Sequence, residues 1–489
     1  MIALVNPQAT KWHYRIPLSV LAVGASIEGR YSYEVLDGNV DRGLEKTLPQ
    51  LVEDKKLKYV GFTVMPGPQL HQSIRMSKML RQRFPHLKII WGGYFPSLHK
   101  SVAIESDYVD FVIRDQGDRS FRQLIDALEH GGSLEGIRGL SYKDGTIHHN
   151  EREELLDPNE LPPVPYHKIP IPPYIWPTFL GQRTVNYHSS VGCPFLCGFC
   201  AVAAVYKAGW IGLHPDRIVA DLSMLQKMYE INAVEFADNN FFTSEKRTAE
   251  FSERMSGLGI SWWGEARPDT LMKYDDRTWA LMKRSGCKMI FLGAESSSQN
   301  TLNLMAKGGT QTPDTVLELA GRMRRVGIVP EFSFVLGCPS DNPDTDLERD
   351  FSYIKSVKKI NPDAEIILYV YSPVYFEDAE LFEAAQAHGF AYPKSLDDWL
   401  LPAWRQHDLR KSPVTPWLTR RHINRIKNFE RVLNARFPTN SDLKLTRARR
   451  RILNALGSWR YALSVYGAPY DIALFQRYIR YRQPEIEGF

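Results

Sequence analysis

Short apolar runs alternate with helical stretches through most of this chain, and that alternation leaves few folds open. Within residues 1–135, the strand-like segments "MIALVN", "YSYEVLDGN", "KYVGFTV", "KIIWGG" and "DFVIRDQ" are interleaved with helical "SVLAVGASIEG", "HQSIRMSKMLRQRFP" and "RSFRQLIDALEHGG". Strand followed by helix in regular order predicts an α/β domain with an open, doubly wound, Rossmann-like parallel sheet. Such sheets bind ligands beyond the carboxyl ends of their strands, where "TVMPGPQ" and "GGYFPS" fall. A second series starts near Val185 with "TVNYHSSVG", "AVEFADNN", "ISWWGEAR", "KMIFLGAES", "VPEFSFVLG" and "AEIILYVYSP". Six such units fit a partial (β/α)6, TIM-like barrel with its chemistry at the strand C-termini.

Between the two series lies "DPNELPPVPYHKIPIPPYIWP", residues 157–177. Proline at this density is incompatible with helix or central strand, so the stretch is expected to be an extended linker. The expected organisation is a first domain over 1–140, a Pro-rich linker over 141–184, a barrel over 185–395, and a basic, aromatic, mainly helical segment over 396–489. A chain of 489 residues needs more than one core. The N-terminus lacks the basic start and apolar stretch of a signal peptide, and no apolar run is long enough to span a bilayer. A cytoplasmic location is expected, where thiols stay reduced and clustered cysteines point to metal or redox chemistry.

Three of the five cysteines, Cys193, Cys197 and Cys200, fall within "GCPFLCGFC", spaced Cys-x3-Cys-x2-Cys directly after the first barrel strand. Structural zinc wants four ligands in paired spacing. A cubane iron–sulfur cluster normally takes four thiolates, so three leave one iron open to a small chelating molecule.

This stretch resembles the signature of the radical S-adenosylmethionine superfamily, with Phe199 as the aromatic residue before the last cysteine. The resemblance implies a [4Fe–4S] cluster whose open iron is chelated by S-adenosylmethionine, and one-electron cleavage of the sulfonium to a 5′-deoxyadenosyl radical. It also implies roles along the barrel. "FADNNFF", with Asp238, Asn239 and Asn240, is similar to the segment that holds the methionine amino group. "GEARPDTL" places Arg267 toward the carboxylate. "FLGAESSSQNTLNLMAKG" offers Glu295 and Ser296 to the ribose, and "FSFVLGCP" resembles the adenine-side strand.

A doubly wound domain ahead of such a barrel resembles the cobalamin-binding branch of that superfamily, its class B methyltransferases in particular. The matching residues are "VMPGPQ", "IIWGGYFPSL" and "VIRDQGDRSFRQLI", where Asp115 and Asp118 stand in a run usually richer in Gly and Glu. The resemblance implies cobalamin held by Pro66, Gly67, Pro68, Gln69, Gly92, Gly93, Tyr94 and Pro96. Glycine after a strand admits a large flat group close to the backbone. The absence of G-x-G-x-x-G after the first strand counts against a dinucleotide. Asp-x-His-x-x-Gly is absent too, so no protein histidine is expected on the lower face of cobalt. Gln69 is the motif residue nearest that position.

The implied reaction is methylation of an unactivated carbon: one S-adenosylmethionine methylates the corrin, a second supplies the radical, and methylcobalamin delivers the methyl group. A non-methylating radical oxidation or cyclisation, as in tetrapyrrole ring formation, stays open as the alternative, and a non-catalytic corrinoid-binding module as a further one. No side chain is assigned a catalytic role. An external one-electron reductant such as flavodoxin or ferredoxin is expected.

From Leu401 onward, 18 Lys and Arg face 6 Asp and Glu. Trp404, Trp417 and Trp459 are interleaved with this charge, and Ile452, Leu456, Trp459, Leu463 and Tyr466 form one helical stripe beside Arg447, Arg450 and Arg451. Two readings stand side by side: aromatics that pack the tail with solvated arginines, or a surface for an apolar, anionic, lipid-like substrate with peripheral membrane contact. No nucleic-acid-binding motif is present.

Overall fold

The computed structural model describes residues 1–10, 12–404, 414–439, 441–443 and 445–479. The first domain is a sheet of β1 (Ile2–Asn6), β2 (Tyr33–Asp37), β3 (Tyr59–Thr63), β4 (Lys88–Gly92), β5 (Phe111–Ile113), β6 (Leu140–Lys143) and β7 (Ile147–His149). Its order is β2-β1-β3-β4-β5-β6-β7. The first five strands run parallel, whereas β6 and β7 are antiparallel. Every residue of β1 is buried, as a strand covered by helices on both faces requires. The chain reverses its winding between β1 and β3, and the loops that leave those two strands border the crevice where such sheets bind ligands.

The sheet runs past the boundary expected at residue 140, which falls inside β6. A hairpin carries no helix, so β6 and β7 gave no alternation to read. The proline-rich stretch also differs from a free extended linker. Tyr166–Lys168 and Pro172–Tyr174 form single 3-10 turns, and Tyr166, Ile169, Ile171 and Tyr174 are buried in the barrel core. Tyr174 Oη donates to Asp37 Oδ2 at 2.8 Å, tying the stretch back to the end of β2.

The second sheet begins with β8 (Thr184–Tyr187). The chain then makes a separate antiparallel ribbon from β9 (Ser190–Gly192) and β10 (Trp210–Gly212) before β11 (Ala233–Phe236), β12 (Ser261–Ala266), β13 (Cys287–Glu295), β14 (Val329–Leu336) and β15 (Glu365–Val370). The order β8-β11-β12-β13-β14-β15 is all parallel, with β8 and β15 as open edges, so the barrel is partial. Trp262 faces the helical layer with Phe236, Phe241 and Phe251, while Trp263 and Met289 plug the barrel floor with Leu180.

"TVNYHSSVG" is thus two strands, not one. The break follows from Asp238, whose carboxylate accepts from Ser189 N at 2.9 Å and turns the chain there. Gly192 then has φ +77, and a Cβ on it would lie 2.1 Å from the Gly209 carbonyl oxygen, so only glycine closes the ribbon.

Residues 371–404 pack between the two sheets, with Tyr371, Phe382, Phe390, Trp399 and Trp404 in the same core as β1, β3 and β4. Helices Arg420–Arg436, Arg447–Ala462 and Tyr470–Ile479 complete the described chain. Phe429 of the first stacks on Phe351 of the barrel's helical layer with centroids 4.0 Å apart. Trp404 is buried, and Trp417 donates its indole N–H to Gly337 O at 2.9 Å. These two tryptophans are packing residues, contrary to the substrate-surface reading, whereas Trp459 is 48% exposed. Residues 405–413 and 480–489 of the basic segment lie outside the described residues. Among the described residues no helix is long and apolar enough to cross a membrane.

Candidate functional site at the cysteine loop

The ribbon β9–β10 and helix Ala201–Tyr206 frame the loop that carries Cys193, Cys197 and Cys200. Asp238, 1% exposed, anchors the loop's entry through Ser189 and Ser190. Its role is therefore beneath the loop, not at its surface. Gly198 N donates to Met305 O at 2.9 Å, which fixes the middle. Burial pushes the Cys193 thiol up and the Cys200 thiol up to about 12. Unligated, these sulfurs are neutral at physiological pH; iron ligation is what holds them as thiolates.

The surroundings are built for an anion. Arg267 Nη1 donates to Cys197 Sγ at 3.3 Å. The same guanidinium grips Asp269 through Nε and Nη2 at 3.0 Å each, and Nη2 also reaches Lys307 O at 3.2 Å. Phe195 lies beneath it, 4.0 Å from ring centroid to Cζ. Asn240 Nδ2 sits 3.9 Å from Cys193 Sγ, while Asn240 Oδ1 is buried without a hydrogen-bond partner. An orphaned buried acceptor costs free energy until something donates to it, and an ammonium group is such a donor. No three carboxylate, thiol or imidazole groups converge on a single-ion position among the described residues. A cubane asks for no such convergence, because each thiolate binds its own iron. The donor set fits a three-thiolate cluster with a chelated small molecule.

The remaining barrel residues separate into those at the site and those behind it. Glu295 ends β13 with φ +63, a left-handed conformation that costs about 1 kcal/mol or more for a residue with a side chain. Its Oε1 accepts from Lys307 Nζ at 2.6 Å, and Nζ lies 5.9 Å from the Phe199 ring centroid. The carboxylate expected at the ribose is engaged as an ion pair. Ser296 points the other way: it is 3% exposed, 3.5 Å from Asp350 Oδ1 and bonded to Ser298 N. Ser296 is structural and leaves the list of ribose contacts. Asp269, Lys307 and Phe195 were not singled out from sequence, although all three stand inside quoted motifs.

Tyr94 opens the short helix Tyr94–Leu98 after β4, which packs against helix Ala201–Tyr206 of the cysteine loop and sets the Tyr94 hydroxyl near the Asn239 and Tyr206 side chains and Cys200. The first domain therefore touches the cysteine loop through the residues that both motifs supplied. Arg152 adds a second tie. Its guanidinium holds Asp115 and the carbonyls of Ala204 and Val205 at the end of the loop's helix.

The crevice between β1 and β3 carries exposed apolar surface, with Trp12 57% and Met65 42% exposed on the two bordering loops. Pro66 is half-buried and Pro68 exposed beside Met65, Gly67 takes φ +80, and helix Pro68–Arg83 starts there. These loops fit a large flat group. Gln69 does not approach such a group: it donates to Asn6 Oδ1 at 2.9 Å and Pro7 O at 3.0 Å and accepts from Met65 N at 3.2 Å. Gly93 needs φ +99 because a Cβ would press on Val64 O at 2.9 Å, a demand of strand packing; Gly92 has no comparable contact, and Pro96 is buried.

The B12 binding domain family matches residues 11–125, and the Radical SAM superfamily matches residues 187–354. An uncharacterized methyltransferase of Pyrococcus horikoshii is 27% identical over 352 residues, 71% of this chain and 74% of that one. An anaerobic magnesium-protoporphyrin IX monomethyl ester cyclase of Synechocystis is 26% identical over 305 residues, 60% of this chain and 58% of the cyclase. Among solved structures, the radical S-adenosylmethionine methyltransferase TsrM from Kitasatospora setae, with cobalamin and a [4Fe-4S] cluster bound, superposes with a TM-score of 0.67 at 14% identity, covering 98% of this chain and 99% of TsrM. With both domains, the three-thiolate loop and the corrin crevice in one chain, the protein belongs to the cobalamin-dependent radical S-adenosylmethionine enzymes, whose cofactors are a [4Fe–4S] cluster, S-adenosylmethionine and cobalamin.

Proposed function

We propose that this enzyme methylates an unactivated carbon of a small-molecule substrate bound between the two sheets. The observation that carries the reading is the packing of helix Tyr94–Leu98, at the end of β4, against helix Ala201–Tyr206 of the cysteine loop, which draws the first domain's ligand-binding edge and the cysteine loop to one seam. Cluster and S-adenosylmethionine, when bound, supply a carbon-centred radical that removes hydrogen, and cobalamin carries the methyl group. The chain's own work is to hold these groups at short range, which converts successive encounters into intramolecular steps. Cys193, Cys197 and Cys200 hold the cluster, and Asn239, Asn240 and the free N–H of Arg267 are placed for the methionine end of S-adenosylmethionine. The loops at 64–68 and 92–96 hold the corrin.

The substrate class is read from the loop after β1. Ile16 N donates to Asn186 Oδ1 at 2.7 Å, which lays this loop across β8, and Arg15 reaches Glu235 Oε2 of β11 at 3.9 Å. Trp12 and Arg15 on it suit an apolar body carrying an anionic group. Peripheral membrane contact rests on helix Arg447–Ala462, where Ile452 and Trp459 are exposed with Arg447 and Arg451. Electrons come from an external one-electron donor of the flavodoxin or ferredoxin kind.

The test is anaerobic reconstitution with iron, sulfide and cobalamin, followed by incubation with S-adenosylmethionine, a strong reductant and extracts of the producing cells. The expected products are 5′-deoxyadenosine, S-adenosylhomocysteine and a metabolite heavier by one CH₂. Deoxyadenosine without S-adenosylhomocysteine or mass gain would instead favour a radical cyclisation of the kind the Synechocystis relative is named for. Absence of both nucleosides would reduce the protein to a corrinoid-binding module.

A further inference from the structure

We infer that Arg267 is a positioning residue that sets how readily the cluster is reduced, through its hydrogen bond to Cys197; this rests on the reading that the three cysteines hold a [4Fe–4S] cluster. The contact is Nη1 to Sγ at 3.3 Å, between side chains that are both buried. Sequence alone pointed Arg267 at the carboxylate of S-adenosylmethionine. Four of its five N–H groups are already committed: Nε and one Nη2 to Asp269, the other Nη2 to Lys307 O, and one Nη1 to Cys197. One remains.

Three separate segments fix the direction of that donor. Asp269 follows β12 and forms a two-point fork with the guanidinium, which blocks rotation. Thr310 donates its hydroxyl to the same carboxylate, and Lys307 O caps Nη2, so the loop 307–310 holds the fork from the far side. Phe195, from within the cysteine loop, stacks against the planar group. A surface arginine making a casual contact would have none of these restraints.

A hydrogen bond to a cluster thiolate and nearby positive charge both favour the reduced, more negative cluster. Asp269 cancels much of the long-range charge while leaving the N–H aimed at sulfur. The two residues therefore pull in opposite senses: removing the arginine should make reduction harder, and removing only the carboxylate's charge should make it easier. A purely structural role predicts no such opposition.

The experiment is an EPR-monitored reductive titration of the reconstituted holoprotein without S-adenosylmethionine, comparing wild type, Arg267→Met, Arg267→Lys and Asp269→Asn, with iron and sulfide assayed in each. At a fixed ambient potential, Arg267→Met is expected to lower the ratio of reduced to oxidised cluster about tenfold, which is 59 mV for a one-electron couple. Arg267→Lys should fall between it and wild type, and Asp269→Asn should raise the ratio. If Arg267→Met fails to take up iron, the sign of the Asp269→Asn shift decides. A ratio unchanged or lowered in Asp269→Asn at full iron content overturns the proposal, as does an Arg267→Met variant that titrates like wild type and only binds S-adenosylmethionine more weakly. Wild type that takes up no cluster defeats the cluster assignment itself, a distinct result.

Discussion

Arg152 and Asp115 form the ion pair that joins the first domain to the cysteine loop: Arg152 Nε lies 3.1 Å from Asp115 Oδ2, and Arg152 Nη1 lies 3.3 Å from Ala204 O. Asp115 adopts φ +64 to present its carboxylate, so the backbone there is held in a conformation that the pair must offset. Arg152→Ala removes the bridge and leaves Asp115 nearly buried without its cation. A loss of about 2 kcal/mol is expected in denaturant unfolding of the apoprotein. An unchanged midpoint would show that the bridge is ornamental.

Each of Cys193→Ala, Cys197→Ala and Cys200→Ala is expected to drop iron from about four per chain to well under one after anaerobic reconstitution. Deoxyadenosine formation should vanish in all three, while cobalamin retention persists because its crevice lies on the other sheet. A single variant that keeps four irons would remove that cysteine from the ligand set.

Gln69→Ala tests the corrected role of a motif residue. Three hydrogen bonds made by a buried amide are lost, so stability should fall by about 2 kcal/mol. The visible spectrum of bound cobalamin should not change, since the side chain faces Asn6, Pro7 and Met65. A shifted corrin spectrum at unchanged stability would return Gln69 to the cobalt.

Asp118 gives a pH signature. Burial raises its pKa from 3.8 to about 6. Below pH 3.8 the carboxyl is neutral both folded and unfolded and has no net effect. Between 3.8 and 6 the unfolded chain ionises first, and above 6 the folded state bears the full cost of about 3 kcal/mol at most. Asp118→Asn should therefore stabilise the apoprotein at pH 8, with roughly half that gain at pH 5. Equal gains at both values would mean the effect is not one of ionisation.

The cysteine loop could be proposed from sequence because its chemistry depends on spacing within eight residues of one loop. Asn239 and Arg267 could be proposed too, since they follow strand ends where a parallel sheet exposes side chains, and the structure brings Arg267 to Cys197. Asp269 and Lys307 could not be proposed in this way, because their contacts arise only when the loop after β13 folds back over the end of β12. Ser296 misled for the opposite reason: one residue beyond Glu295, it faces the helical layer, and strand-end polarity alone does not tell the two faces apart. Trp404 and Trp417 were ambiguous since aromatic content reads alike for packing and for binding.

The proline-rich stretch has a consequence for how the holoenzyme is assembled. With Tyr174 buried in the barrel core and its hydroxyl on Asp37 at the end of β2, the connector works as a splint across the two halves. The halves cannot swing apart like the covers of a book to admit a molecule as large as a corrin without tearing that tyrosine from its socket. Local breathing of the rim loops, or loading while the nascent chain is still closing, would leave that contact intact.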